Sequence, residues 1–317
     1  MKIVIPAQGR QELRQRIALI APEAKTVAIE LDGQADGPLE DAEAMFVRWE
    51  MSVDTLRRIL PQMPHLRWLH TPSAGVDRLM FPELLSHPCV LTNSVGVYSI
   101  PIAEHVLAIM LAVARQLPLC LQQQREHRWQ RVPAVELYEE TVAIIGTGHI
   151  GQEVARRAQA LGMHTLGTRR QPRPTSFIEQ VFPLTHLYDM LAQADFVVIT
   201  CPLTPETAGM IGEPELQAMK KTAWLINVAR GGIVQEKALL RALREGWIAG
   251  AGLDTFVQEP LPEDSPFWDL PNVILTPHTS WSSPQVRERT IALFLENLER
   301  FLAGEPLLNV VDKKRGY

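Results

Sequence analysis

The 317-residue sequence has few cysteines and no long apolar run. Its three cysteines, Cys89, Cys120 and Cys201, are odd in number and have the spacing of neither a disulfide framework nor a zinc site. The longest unbroken apolar run, residues 106–114, is much shorter than the ~20 residues that a membrane helix needs. We therefore expect a reducing compartment, the cytoplasm, with no membrane partner and no metal site.

An excess of positive charge is also absent. The chain has 31 lysines and arginines against 36 acidic residues, which gives a formal net charge of −5, and its basic residues are dispersed. This distribution does not provide the basic surface that nucleic acids or anionic membranes require. We therefore expect small molecules and further copies of the same chain as partners. With 46% hydrophobic residues, the chain is long enough for about two domains.

Short apolar runs alternate with helical stretches in two series, a pattern that predicts parallel strands with crossover helices. The first series lies at residues 3–5, 27–29, 45–47, 68–69 and 90–91, and the second at 142–145, 164–166, 196–200, 224–228, 251–253 and 273–275. The opening run is too short for a signal peptide, so it predicts a strand and gives no indication of export.

The expected fold class is α/β, with two doubly wound parallel sheets. A strongly apolar helix over residues 102–117, which follows Pro101, is expected to connect the two units, and a helix over residues 284–302 is expected to pack back on the first. This organisation predicts a flavodoxin-like substrate domain of residues 1–97 and 284–317. The remaining residues, 98–283, are predicted to form a Rossmann domain that binds NAD(P).

The start of the second series contains a glycine-rich sequence. The strand over residues 141–145 leads into Gly146-Thr-Gly-His-Ile-Gly151 and then into a helix. In this G-x-G-x-x-G pattern, Gly146 makes a tight turn, Gly148 lets the backbone approach a pyrophosphate, and Gly151 allows close helix packing. The helix start, with His149 and Ile150, offers N–H groups to phosphates. A lone match is weak, but its place between a strand and a helix predicts a dinucleotide site.

The next predicted strand ends at Arg169 and Arg170, where an enzyme specific for NAD would carry an acidic residue for the ribose 2′-OH. Guanidinium groups bind a 2′-phosphate through charge-assisted hydrogen bonds, whereas a carboxylate would repel it. This pair therefore favours NADP(H), with NAD(H) still possible. The alternative interpretation is a solvated basic turn that binds no ligand.

Three later strands end in polar residues that suit hydride transfer to a 2-oxo acid. Arg230 follows the strand over 224–228, Asp254 ends the strand over 251–253, and His278 follows the strand over 273–275. Ligands of open α/β sheets bind beyond the carboxyl ends of the strands. An arginine there suits a carboxylate, and a histidine that Glu259 orients suits reversible proton transfer. Considered singly, these residues also fit a surface ion pair, a turn-forming aspartate and a structural histidine.

With these motifs in place, the chain resembles the D-isomer-specific 2-hydroxyacid dehydrogenases, the family of glyoxylate and hydroxypyruvate reductases, D-lactate dehydrogenase and phosphoglycerate dehydrogenase. The similarity covers residues 69–306. The motifs that carry it are Ser73-Ala-Gly-Val-Asp77, Ala103-Glu-His105, the Gly146 loop, Cys201-Pro-Leu-Thr-Pro-Glu-Thr207, residues 227–232, Gly252-Leu-Asp254, Glu259-Pro260 and Pro277-His278.

The resemblance implies a role for each matching residue. It implies that Arg230 binds the substrate carboxylate and keto oxygen, that His278 is the general acid and base, and that Glu259 pairs with it. Backbone N–H groups of Ala74 and Gly75 are expected to complete the carboxylate site.

The resemblance also extends to the cofactor and the assembly. Asp254 is expected to meet the nicotinamide carboxamide, while Pro202, Thr207 and Ala229 are expected to line the cofactor site. The family pattern further implies closure of the two domains over substrate and a homodimer built largely through the helix of residues 102–117.

Two departures from the family pattern leave alternatives open. Arg169 stands where NAD-using relatives have aspartate, which favours NADP as in the glyoxylate and hydroxypyruvate reductases. Trp281 replaces a small residue, as in the C-terminal-binding proteins, and predicts a substrate with an apolar tail if its ring faces the pocket. A scaffold that senses NAD(P), like those corepressors, is the main alternative function. Hydrolysis through Cys201 or a serine is the weaker one, because the sequence contains no G-x-S-x-G motif.

Overall fold

The computed structural model describes residues 1–48 and 50–315. The chain divides into two compact units, one formed by Met1–Tyr98 and Ser283–Tyr317 and the other by Ser99–Ser282. The expected boundaries, 97/98 and 283/284, each differ from this division by one residue.

The first unit contains a five-stranded parallel sheet in the order β2-β1-β3-β4-β5. This is the flavodoxin-like order. The strands are β1 (Lys2–Pro6), β2 (Lys25–Ile29), β3 (Ala42–Phe46), β4 (Trp68–His70) and β5 (Val90–Thr92), and the helices are α1 (Arg10–Ile20), α2 (Val53–Ile59), α3 (Pro82–Ser86) and the C-terminal helix (Pro284–Ala303).

The C-terminal helix belongs to the core of this first unit. Phe294, on its buried face, stacks on Trp68 of β4 and Phe46 of β3 with ring centroids 5.1 and 4.6 Å apart. Its first turn is capped by the Ser283 side chain, which accepts from the Gln285 N–H at 3.3 Å. The predicted return of this helix to the first unit is therefore observed.

The second unit contains a seven-stranded parallel sheet in the order β12-β11-β10-β9-β6-β7-β8. Read from β6, this is the Rossmann order with a seventh strand. The strands are β6 (Thr141–Ile145), β7 (His164–Thr168), β8 (Gln180–Phe182), β9 (Phe196–Ile199), β10 (Trp224–Asn227), β11 (Gly250–Leu253) and β12 (Val273–Leu275), and the helices are α4 (Ser99–Ala114), α5 (Leu117–Arg125), α6 (His149–Ala160), α7 (Leu187–Leu191), α8 (Glu213–Ala218) and α9 (Glu236–Glu245).

The fold prediction is confirmed, and every predicted strand is present. The strand that the sequence did not indicate is β8, which lies at one side of the sheet with an exposed first residue and only one buried side chain, Phe182. A short, half-polar strand of this kind has no apolar run that would indicate it in the sequence.

The helix predicted over residues 102–117 is present as α4, but it ends three residues earlier than predicted. The helix α4 ends at Ala114, Gln116 has a φ of 56°, and α5 begins at Leu117. Pro118 has no N–H with which to bond the Ala114 carbonyl, so the helix cannot continue through it. The Val135 N–H occupies that carbonyl instead, at 2.9 Å. The apolar pattern runs through this break, which is why it suggested continuity.

Among the described residues, no single helix is long and apolar enough to cross a membrane. The helices α4 and α5 reach that length and hydropathy only as a pair, which is bent by 65°. Within the second unit, ten of the sixteen residues of α4 are buried, as in a core helix.

Candidate active site

The glycine-rich loop follows β6 and packs tightly against the backbone at Cys201. Gly146 has a φ of 102°, and a Cβ there would lie 2.6 Å from the backbone nitrogen of Cys201. A Cβ on Gly151 would lie 2.4 Å from the Gly146 carbonyl oxygen. The Thr200 hydroxyl donates to that same oxygen at 2.6 Å. Both glycines are therefore required by the fold of the loop itself.

Gly148 is different, because it faces open space. A Cβ built there meets no atom within 4 Å, although the residue sits at the start of α6 with no side chain capping it. The helix begins at His149 and continues through Ile150, so its first N–H groups are left for an external acceptor. Beneath them the Thr147 hydroxyl is buried and finds no partner in the described residues. This open cradle fits the pyrophosphate of a dinucleotide.

Arg169 and Arg170 follow the carboxyl end of β7, beside the glycine-rich loop. The Arg169 guanidinium donates to the Thr175 hydroxyl at 3.3 Å and is half-buried, whereas Arg170 is exposed. A hydrogen bond from Thr204 and the charge of Arg170 lower the pKa of the Glu206 carboxyl. The turn thus carries two guanidinium groups at the carboxyl end of β7, the strand next to β6.

The loop after β9 carries two further predicted cofactor residues. Thr207 donates from its hydroxyl to the Pro202 carbonyl at 2.7 Å and accepts from the Thr204 N–H at 2.8 Å. Its side chain therefore shapes the loop, and Pro202 is exposed on it. Burial raises the pKa of the neighbouring Cys201 thiol to about 11. That thiol is protonated near neutrality, which argues against it as a nucleophile.

Arg230, Asp254 and His278 follow β10, β11 and β12, which are neighbours in the sheet. The Arg230 loop is held by Asn227, which is 1% exposed. Asn227 donates to the Arg230 carbonyl at 3.0 Å and accepts from the Ala229 N–H at 3.1 Å. Asn227 was not among the predicted site residues, although a polar residue that ends a buried apolar strand was a usable signal.

The Arg230 loop also touches the chain that follows β11. A Cβ on Gly231 would lie 2.0 Å from the carbonyl carbon of Phe256, so the two backbones are in direct contact there. The Arg230 guanidinium donates to the Ala229 carbonyl at 2.8 Å and is half-buried. Ala229 itself is buried. Rigid backbone packing therefore sets the position of Arg230 next to the segment that carries Glu259.

Glu259 and His278 form a hydrogen-bonded pair. The Nδ1 atom of His278 lies 2.7 Å from Oε2 of Glu259, while Oε1 accepts from the Phe256 N–H at 3.1 Å. The two side chains are 36% and 26% exposed. An ionised carboxylate only accepts, so Nδ1 carries the proton of this bond, and Nε2 is the atom that the pair directs outward.

Asp254 is fully buried beneath the turn that carries His278. Its carboxylate accepts from the N–H groups of Thr279 at 2.9 Å and Ser280 at 3.1 Å, and from the Thr276 hydroxyl at 2.6 Å. All three bonds point into the turn. Asp254 therefore organises the His278 turn, and its contact with a carboxamide stays a prediction.

Trp281 lies at the end of the same turn and is half-buried. Its indole N–H donates to the His278 carbonyl at 2.7 Å. The φ of His278 is 50°, a left-handed conformation that histidine adopts more readily than most residues. The turn is thus fixed by hydrogen bonds on both sides of His278.

Ala74 and Gly75 lie in the first unit, in the loop after β4. Asn93 donates to the Ala74 carbonyl at 2.9 Å and so anchors the loop. The N–H groups of Ala74 and Gly75 donate to no acceptor in the part of the chain that the structure describes. Two adjacent free N–H groups on an anchored loop form a donor set suited to a carboxylate. Within the same part of the chain, no cluster of side chains has the composition of a metal site.

Comparisons with known proteins agree with this arrangement. Residues 107–280 match the family model described as "D-isomer specific 2-hydroxyacid dehydrogenase, NAD binding domain". The chain is 35% identical to a glyoxylate reductase of Korarchaeum cryptofilum over 98% of its own length and 94% of that protein.

Two solved structures extend the likeness to the whole chain. A D-isomer specific 2-hydroxyacid dehydrogenase of Xanthobacter autotrophicus, solved with NADPH and MES, superposes with a TM-score of 0.87 at 32% identity over 100% of this chain and 99% of that one. An NADPH-dependent glyoxylate/hydroxypyruvate reductase of Sinorhizobium meliloti, solved with NADP and sulfate, has a TM-score of 0.85 at 29% identity, again over 100% and 99% of the two chains.

Proposed function

The chain belongs to the D-isomer specific 2-hydroxyacid dehydrogenase family, and on that premise we propose that it reduces a small 2-oxo acid to the D-2-hydroxy acid with NADPH. It is an oxidoreductase of 2-oxo and 2-hydroxy acids. Glyoxylate and hydroxypyruvate are the proposed substrates. The preference for NADP(H) over NAD(H), the roles of single residues and the homodimer are the finer parts of the proposal.

The cofactor half of the proposal is supported by the open cradle at Gly148 and by the two arginines after β7. We assign the pyrophosphate to the N–H groups at His149 and Ile150, and the 2′-phosphate to Arg169 and Arg170. Pro202, Thr207 and Ala229 would line the site, and Asp254 would reach the carboxamide. The chemistry that bound NADPH would supply is hydride transfer to the carbonyl carbon of the substrate.

The substrate half of the proposal gives each polar group one task. Arg230 binds the carboxylate and the keto oxygen of the substrate. The N–H groups of Ala74 and Gly75 are proposed as donors to a carboxylate. Protonated Nε2 of His278 donates its proton to the carbonyl oxygen as the hydride arrives at carbon, and it takes that proton back in the oxidation. Trp281 is the finer point of substrate choice: if its ring faces the pocket, it would extend the range of substrates to 2-oxo acids with an apolar tail.

The observation that carries the proposal is the 2.7 Å bond between His278 and Glu259 at the carboxyl ends of the strands. It fixes Nδ1 as the protonated nitrogen of the neutral ring, so that Nε2 exchanges the catalytic proton. This arrangement favours a proton donor over a structural histidine.

The test is a turnover assay of the purified chain with NADPH and NADH against glyoxylate, hydroxypyruvate and branched 2-oxo acids. We expect turnover of at least one acid, and His278→Ala to lower it by about 10²–10⁴-fold. The affinity for NADPH, measured by fluorescence titration, should stay unchanged in this variant. Wild-type turnover by His278→Ala would contradict the assignment. NADPH binding by the wild type with no turnover of any acid would favour the scaffold alternative.

Cofactor preference has its own test. Arg169→Asp should weaken NADPH far more than NADH, because the new carboxylate repels a 2′-phosphate and accepts from a 2′-OH. Equal losses for both cofactors would contradict the assignment of Arg169. Arg244→Asp is the control, because Arg244 is exposed in the last turn of α9, which leads to the amino end of β11 and not to the carboxyl ends of the strands.

We also propose a homodimer that uses α4 and α5. Leu117, Leu119 and Leu121 are exposed on or beside α5 at 47%, 37% and 54%. Exposed leucines clustered on one short helix indicate a surface that another protein covers. Light scattering should give twice the chain mass of 35.6 kDa, and a monomer at micromolar concentration would contradict the dimer.

A further inference from the structure

His105 belongs to the Ala103-Glu-His105 motif, and the proposed reaction assigns it no task. It lies on α4, in the second unit, and its side chain is 18% exposed. Its Nε2 atom is 3.1 Å from the Thr276 hydroxyl and 3.9 Å from Oδ1 of Asp254. The residue therefore connects α4 to the two groups that begin and support the His278 turn.

The direction of each hydrogen bond in this connection follows from counting protons. The Thr276 hydroxyl has one proton, which it donates to Asp254 at 2.6 Å. Its oxygen can then only accept from His105, so Nε2 of His105 carries a hydrogen. His105 thus donates to Thr276, and Thr276 donates to Asp254. Asp254 receives in addition the N–H groups of Thr279 and Ser280.

Burial favours the neutral ring at this position. It lowers the pKa of His105, and the nearby charge of Asp254 opposes that effect without overcoming it. A neutral ring protonated on Nε2 is the form that the Thr276 oxygen accepts from. The chain of hydrogen bonds is therefore complete near neutral pH.

The support matters because the His278 turn is conformationally costly. The φ of His278 is 50°, in the left-handed region, which non-glycine residues adopt only at a cost in free energy. Asp254 accepts from the N–H groups of Thr279 and Ser280, which follow His278, and from the hydroxyl of Thr276, which lies two positions before it. Loss of either contact lets the turn relax and moves the ring away from its proton-transfer position.

We propose that His105 and Thr276 are positioning residues that act through Asp254 to hold the His278 turn, so that the buried helix α4 sets the orientation of the proton donor. The inference rests on the proposed function, because it concerns how well His278 performs that reaction. It adds two residues to the machinery of the site, neither of which touches the substrate in this assignment.

The experiment compares paired variants at each position. Thr276→Val removes the hydroxyl at constant size, and Thr276→Ser restores it. His105→Leu removes the Nε2 donor, and His105→Gln replaces it with an amide N–H at a similar distance from the backbone. We expect Thr276→Val and His105→Leu to lower kcat by about 10–100-fold, as a small misplacement of a reacting group does. KM and the affinity for NADPH should change by less than about threefold, and Ser and Gln should restore most of kcat.

A double variant separates positioning from general destabilisation. If Thr276 acts through His278, Thr276→Val should have no further effect on the residual rate of His278→Ala. Thr290→Val is the matched control, because Thr290 is 5% exposed and its hydroxyl donates to the Val286 carbonyl in the C-terminal helix. It should lower the melting temperature and leave kcat per folded molecule unchanged.

The outcomes distinguish the two proposals. Full kcat in Thr276→Val and His105→Leu, with His278→Ala inactive, would overturn this inference and leave the proposed function standing. Additive losses in the double variant would overturn it as well. Full turnover in His278→Ala would instead contradict the proposed function, on which the inference depends.

Discussion

The two ends of the seven-stranded sheet both hold hydrogen-bonded carboxylates, but they use them differently. At the amino ends of the strands, Asp195 accepts from the Thr141 N–H at 3.0 Å and from the Lys220 ammonium at 2.7 Å. Glu140 lies against Asp195 and bonds to it when protonated. At the carboxyl ends, Asp254 and Glu259 accept from turn N–H groups and from the His278 ring.

The difference between the two groups of carboxylates lies in what their hydrogen bonds hold in place. Asp195 joins the starts of two strands to a fixed ammonium, and its bonds end within the fold. The bonds of Asp254 and Glu259 instead orient the His278 turn and the His278 ring, whose Nε2 faces away from Glu259. We infer that carboxylates at the amino ends of the strands contribute to stability, whereas those at the carboxyl ends contribute to turnover. Variants at the two ends test that contrast.

Among the variants that compare the two ends of the sheet, Arg230→Lys should give the largest loss of activity. Lysine keeps the charge but lacks the planar fork that binds a carboxylate and a keto oxygen together. We expect kcat/KM to fall by about 10²–10³-fold, in the range of a lost electrostatic donor at a reacting oxygen. Steady-state kinetics with the best 2-oxo acid measures it, with exposed Arg244→Lys as the control. A loss below about threefold would remove Arg230 from the carboxylate site.

Glu259→Gln should have the next largest effect. The amide has one acceptor oxygen for two present donors, the Phe256 N–H and His278 Nδ1. Its NH₂ group would face one of them and favour the wrong tautomer of the ring. We expect kcat to fall by about 10–100-fold, a part of the full value of general acid catalysis. Exposed Glu263→Gln is the matched control, and unchanged kcat in Glu259→Gln would contradict the orienting role.

The sequence was sufficient to predict the fold class and the edge of the sheet at which the site lies. A buried parallel strand is a continuous apolar run, so the sequence indicated β6 and β9 directly. Each run ends at the carboxyl edge of the sheet. A polar residue placed there, such as Arg230 or His278, is then assigned to the carboxyl ends of the strands by topology alone. The fold class and the neighbourhood of the site follow from this pattern.

The pattern of apolar runs did not predict the contacts within the site. Glu259 and His278 are 19 residues apart, and the path of the intervening loop decides whether they meet. The bond between His105 and Thr276 spans 171 residues and depends on how α4 packs, which no local pattern encodes. The break at Gln116 was missed for the opposite reason, because an apolar pattern persists across it while one proline removes the hydrogen bond.

Asp195→Asn should affect stability and leave turnover unchanged. Asparagine can accept from either Thr141 N–H or Lys220, and the other donor is then left partly buried without an acceptor. We expect a loss of about 1–3 kcal/mol in the free energy of unfolding, as for other unsatisfied polar groups. Denaturant titration measures the loss, and exposed Asp264→Asn is the control. A fall in kcat per folded molecule would contradict the division between the two ends of the sheet.

The smallest effect is expected at Glu140, and it depends on pH. Burial, followed by the hydrogen bond to Asp195 and the charge of Asp195, raises the pKa of Glu140 from 4.5 to about 7. The folded protein therefore holds this proton more tightly than the unfolded chain does. The stability that results is fully present below pH 4.5 and is lost as the pH rises through about 7.

Glutamine at position 140 resembles the protonated carboxyl, because its NH₂ group can donate to Asp195 at every pH. Glu140→Gln should therefore melt close to the wild type at pH 5 and about 2–4 °C above it at pH 8.5, which corresponds to ~1 kcal/mol after solvent screening. Glu139→Gln, the exposed neighbour, should show no such pH-dependent difference. If the two variants followed the same pH dependence, the proton would not reside on Glu140. The amino ends of the strands would then differ from the carboxyl ends only in position and not in the use of their carboxylates.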